Sequence, residues 1–159
     1  MRHSGRWIAA ILITLGLAAC TTPASNTSGG HKESPARVEA MPGKDVKQVT
    51  LTEQAARRVG IATVTIGAAR TAPPVGPTPS PGPPATVVPY SAVLYDPNGV
   101  AWVYTVPQPL TYVREKVVVA TVGGASGTDA FLAQAPPAGT TIVTTGAIEL
   151  WGAELGVGK

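Results

Sequence analysis

The stretch Ser91-Ala92-Val93-Leu94-Tyr95-Asp96-Pro97-Asn98-Gly99-Val100-Ala101-Trp102-Val103-Tyr104-Thr105-Val106 decides the fold. Two runs rich in β-branched and aromatic residues, the composition that strands prefer, flank Asp-Pro-Asn-Gly. Pro97 presets the first central turn position and Asn98 tolerates the second. Gly99 takes a left-handed bulge position that lets both strands continue with matching twist. The segment predicts an antiparallel hairpin with strands over 91–95 and 100–106.

Downstream, residues 112–122 form a longer strand pattern in which Val113, Val117 and Val119 share a face while Arg114 and Lys116 point the other way. Gly123, Gly124 and Gly127 follow as a glycine-rich loop, and since no helix comes after them they read as a hairpin connection rather than a phosphate cradle. Short strands at 130–133 and 140–145 are separated by Pro136, Pro137 and Gly139. Residues 146–159, with four glycines, read as a short turn of helix and a tail.

Upstream, residues 46–51 allow a short strand. Thr52 can cap a helix with Glu53 and Gln54 in its first turn, and Gly60 offers a left-handed stop. Residues 61–66 alternate with period two, with Ala62, Val64 and Ile66 on one side. Several short strands at close spacing with one short helix predict a mostly β chain, a small antiparallel β domain or barrel.

Two breakers bound this domain. Residues 20–45 are rich in Ser, Pro, Gly and charge and read as a disordered tether. Residues 70–85 hold seven prolines and read as a proline-rich linker, a polyproline spacer before a partner ligand. The ordered blocks, 46–69 and 86–159, are together large enough for one small core.

The N-terminus carries Arg2 and Arg6 and then an uncharged apolar run from Trp7 to Ala19, the order of a secretory signal. That run is shorter than the roughly 20 residues of a membrane-spanning helix. Leu17-Ala18-Ala19-Cys20 resembles the lipobox of bacterial lipoproteins, which implies cleavage after residue 19 and a diacylglyceryl group, with palmitate-type acyl chains, on Cys20. Cys20 is the sole cysteine of the chain, so an exported form has no internal disulfide and lipidation gives the thiol a use. The expected place is the cell membrane, lipid-anchored on the extracytoplasmic, periplasmic side. Loss of residues 1–19 removes two of the twelve basic and none of the nine acidic residues, leaving a net charge of +1. No basic stripe remains, which argues against a nucleic-acid partner.

Chemistry is sparse. His31 lies in the tether, away from any carboxylate or nucleophile, and no catalytic triad, metalloprotease helix or paired-cysteine motif is present. His31 and Met41 are too few for a metal site. The expectation is no enzyme, no cofactor and no metal. Tyr95, Trp102 and Tyr104 in the hairpin read first as core or cross-strand pairs; with Arg114 and Lys116 they are also the candidate partner surface.

Val88-Pro89-Tyr90-Ser91-Ala92-Val93-Leu94-Tyr95-Asp96-Pro97-Asn98-Gly99 and Ala101-Trp102-Val103-Tyr104-Thr105 resemble a signature segment of the periplasmic adaptor subunits, or membrane fusion proteins, of resistance-nodulation-division efflux transporters. Arg114-Glu115-Lys116-Val117, Gly123, Pro137-Ala138-Gly139-Thr140-Thr141-Ile142-Val143 and Gly146-Ala147 are similar to its closing strands, and residues 51–63 to its opening segment. The resemblance implies that both blocks join as a membrane-proximal β domain. In full adaptors a lipoyl-like domain, a helical hairpin and a β-barrel intervene where this chain has its proline-rich stretch. It further implies a lipid-anchored accessory or minimal adaptor that binds an inner-membrane transporter or a fuller adaptor. The alternative is a cell-envelope lipoprotein with a small ligand-binding β domain unrelated to efflux.

Overall fold

Asp96 organises the central hairpin. Its Oδ1 accepts from the backbone N–H groups of Asn98 (2.8 Å) and Val100 (3.0 Å), while Gly99, at φ +77°, donates its N–H to the Asp96 carbonyl. The computed structural model describes residues 34–73, 82–124 and 126–157. Signal peptide, Cys20, His31, most of the expected tether and residues 74–81 of the proline-rich run lie outside the described residues.

In chain order the elements are β1 (Ala36–Ala40), β2 (Lys47–Leu51), α1 (Glu53–Val59), β3 (Ala62–Thr65), β4 (Arg70–Thr71), β5 (Pro84–Pro89), a 3-10 turn (Tyr90–Ala92), β6 (Leu94–Tyr95), β7 (Ala101–Gln108), β8 (Thr111–Gly123), β9 (Asp129–Gln134), β10 (Thr141–Thr145) and α2 (Ala147–Leu155). The fold is mostly β, a curled antiparallel half-barrel with two helices. The sheet runs β3-β10-β7-β8-β9-β5-β4, with β2 on β8, β1 on β2 and β6 on β7.

The thirteen-residue β8 is the spine. Residues 113–117 pair with β7, 111–113 with β2, and 118–123 with β9. Side-chain alternation on β7 and β10 then divides the interior in two. Ala101, Val103 and Ile142 point to one side and join Val88, Val117 and Leu132, enclosed by β5 and β9. Tyr104 and Val143 point to the other and join Val49, Leu51, Tyr112, Ala147 and Leu150, covered by α1 and α2.

Thr52 caps α1 as expected, its Oγ1 accepting the Ala55 N–H at 3.2 Å, and Gly60 ends it at φ +73°. Four assignments need correction. The first hairpin strand, expected over 91–95, is only Leu94–Tyr95, because residues 90–92 turn as a 3-10 helix. Residues 36–40, placed in the tether, form β1, an edge strand paired in register from Ala36↔Leu51 to Ala40↔Lys47. The proline-rich linker is ordered at both ends, where Arg70↔Ala85 and Thr71↔Pro84 pair and Gly82 passes so close that an added Cβ would lie 2.6 Å from the Ala72 carbonyl oxygen. The short turn of helix expected near the C-terminus is longer, the nine-residue α2. Gly146 makes its start possible: it sits at φ +86°, where a Cβ would lie 2.5 Å from Ile61 Cδ1.

Candidate functional site

Glu154 is the centre of the most concentrated chemistry among the described residues. Ala147, Leu150 and Glu154 share one stripe of α2 and all three are buried against the sheet. The Glu154 side chain retains 2% of its exposure, a costly place for a carboxylate unless it is paired and hydrogen-bonded. Both oxygens are engaged. Oε1 accepts from Arg114 Nη2 at 3.2 Å and from the Lys47 backbone N–H at 3.2 Å, and Oε2 accepts from Tyr104 Oη at 2.5 Å. Lys47 Nζ also reaches the Glu154 carbonyl oxygen at 3.3 Å. Strands β2, β7 and β8 therefore converge on one residue of the last helix.

Arg114 is held between rings. Its guanidinium carbon lies 4.4 Å from the centroid of Trp102 and 5.8 Å from that of Trp151, an arrangement that favours the cation through the ring quadrupoles. Trp102 is fixed in turn, its Nε1 donating to Asp96 Oδ2 at 3.1 Å. Arg114 Nε and Trp151 Nε1 are buried without an acceptor among the described residues.

Burial is the largest influence on the Tyr104 hydroxyl and pushes its pKa far above the ordinary 10.0; the hydrogen bond and the charge of Glu154 add to this and outweigh Arg114. Tyr104 thus serves as a permanent donor. At Asp96, desolvation pulls upward most strongly, yet the bonds from Val100, Trp102 and Asn98 together with Arg114 leave the carboxyl below its ordinary 3.8. Both groups hold structure in place, Tyr104 as a donor and Asp96 as an acceptor.

The five residues of the expected partner surface do not form one surface. Tyr104 is fully buried, which removes it from that surface and agrees with its reading as core. Arg114 keeps 11% side-chain exposure and belongs to the buried cluster. Trp102 is half-buried beneath it and faces exposed Lys116 across the ladder. Tyr95, paired with Ala101, points to the opposite side of the sheet and is exposed beside Tyr90, with ring centroids 6.5 Å apart. Glu154 and Lys47 were missed. The available signal was the position of Glu154 on the same helical stripe as Ala147 and Leu150, seven and four residues after them.

Met41 lines an open cleft of about 240 Å3 with Lys44, Gln48, Thr111 and Arg114. Among the described residues no three His, Cys, Asp or Glu side chains converge as a metal site would require, and no helix is long and apolar enough to cross a membrane. No known protein family, curated protein or solved structure matches the chain.

Proposed function

We propose that the protein is a lipid-anchored, minimal membrane-proximal adaptor module that acts by protein–protein binding on an envelope efflux transporter, or on a fuller adaptor, and catalyses nothing itself. One observation carries this reading. The segments before and after the proline-rich run close a single sheet, through Gln48↔Val113 between β2 and β8 and Thr63↔Val143 between β3 and β10. The pairing of Thr71 with Pro84 makes the run leave and re-enter the domain at one place. That is the arrangement expected of an adaptor whose inserted domains are replaced by a short loop. The signal-like N-terminus and Cys20 supply the attachment, since two or more acyl chains, at about 0.8 kcal/mol per buried methylene, hold a protein stably on a bilayer.

The test is crosslinking in intact cells through surface lysines such as Lys116, followed by capture of the acylated protein and sequencing of the joined peptides. Peptides from a transport permease or a fuller adaptor are expected. Repeated capture with no transport component joined would remove the reading.

A further inference from the structure

Helix α2 buries Ala147, Leu150 and the carboxylate of Glu154, while Ile148 and Leu155 lie together on one outward flank and the exposed Glu149 lies on the other side of Gly152. Ile148 and Leu155 are each 62% exposed, and Val157, directly after the capping Gly156, is 73% exposed. A surface helix ordinarily turns its polar side outward, so an exposed apolar flank marks a contact surface.

We infer that Ile148, Leu155 and Val157 seat α2 in the interfacial layer of a lipid bilayer, so that the domain rests on the membrane by its last helix. The inference rests on the lipid-anchored reading. Area favours lipid over protein as the occupant: three side chains fall well short of the roughly 800 Å2 per partner that a stable protein interface buries. A single helix with an apolar outer stripe is, by contrast, sufficient for interfacial seating when another attachment already holds the protein at the surface.

The path of the chain points the same way. Ala36 and Val38 of β1 pack against the cluster that holds Ala147 and Leu150, so the chain arriving from Cys20 enters the domain through a strand that lies against α2. Fifteen residues separate Cys20 from Ala36, a reach of about 50 Å at most. An anchor on that leash presents α2 to the bilayer at high effective concentration.

The experiment uses the full acylated protein, purified from membranes and reconstituted in phosphatidylethanolamine–phosphatidylglycerol vesicles whose acyl chains carry bromine. Tryptophan fluorescence is read, because Trp151 lies on α2. Mass spectrometry reports acylation of Cys20, and circular dichroism reports the fold. Quenching is expected in the parent protein and should fall at least threefold in the Ile148→Glu/Leu155→Glu variant, with acylation and fold unchanged. Absence of quenching in protein acylated at Cys20 overturns the inference and leaves the anchor standing. A bare Cys20 removes the anchor instead; excess vesicles are then added to the unacylated protein, and the inference survives only if the same variant-sensitive quenching appears. A dimer broken by the variant, with no quenching by lipid, assigns the stripe to a second copy and also overturns it.

Discussion

Arg114→Met tests the buried cluster most directly. The substitution keeps an apolar stem against Trp102 and Trp151 but removes the cation from a carboxylate whose side chain is 2% exposed. Breaking a buried pair from one side costs roughly 3–5 kcal/mol, because the remaining charge is stranded. Glu154 would retain the Tyr104 hydroxyl and the Lys47 N–H, so the low end applies, about 3 kcal/mol. That is about two orders of magnitude in the folding constant, and a fall in Tm of roughly 10 °C or more. The triple variant Tyr104→Phe/Arg114→Met/Glu154→Leu removes the buried ion pair and the hydroxyl together, and it should return to within about 1 kcal/mol of the parent, since a well-packed apolar replacement is often neutral. Urea unfolding followed by tryptophan fluorescence and circular dichroism measures both. A loss below about 1 kcal/mol in the single variant, or a triple variant no more stable than the single, would refute the claim that the cluster's energetics come from a desolvated charge.

Other perturbations probe the surrounding structure. The raised pKa of Tyr104 means that the folded state keeps this proton while the unfolded chain releases it above the ordinary 10.0. Stability from this group is therefore complete below pH 10 and declines as pH rises beyond it, and alkaline unfolding should be less steep in Tyr104→Phe. Asp96 has the opposite sign: its contribution is present above the ordinary 3.8 and fades as pH falls through its lowered pKa, so Asp96→Ala should flatten the acid limb of the stability profile. Gly146→Ala places a Cβ 2.5 Å from Ile61 Cδ1 in a left-handed residue and should cost on the order of 1–3 kcal/mol in urea unfolding. Gly82→Ala drives a Cβ against the Ala72 carbonyl oxygen and should open the base of the proline-rich loop, seen as faster proteolysis at residues 72–84 with the rest of the domain still protected.

Where structure is local, the sequence was legible. The Asp96–Gly99 turn, the Thr52 cap and the Gly60 stop each draw on residues within four positions, and each forms as read. β1 was missed because Ala-Arg-Val-Glu-Ala leaves three of its five residues exposed and buries none fully, and its order comes from β2, seven or more residues away. Proline density likewise hid the β4–β5 pairing, which needs only two residues from each side of the run. Tyr104 was placed correctly as core by its strand context, yet its partner lies 50 residues on. The links from Glu154 to Arg114 and Lys47 span 40 and 107 residues. No periodicity or spacing encodes such distances: the helical stripe shared with Ala147 and Leu150 marks the side on which Glu154 lies but names none of its partners.

The union of Lys47 with Glu154 also sets an order of events. A chain that emerges vectorially, whether from a ribosome or through a translocation pore, presents β2 long before α2 exists to receive it. Until residue 154 appears, Arg114 has no counter-ion, Tyr104 has no acceptor and one side of the spine strand lies open. The domain is thus kept unfinished by its own topology, and the final helix acts as the closing event of assembly rather than as an appendage added to a completed sheet.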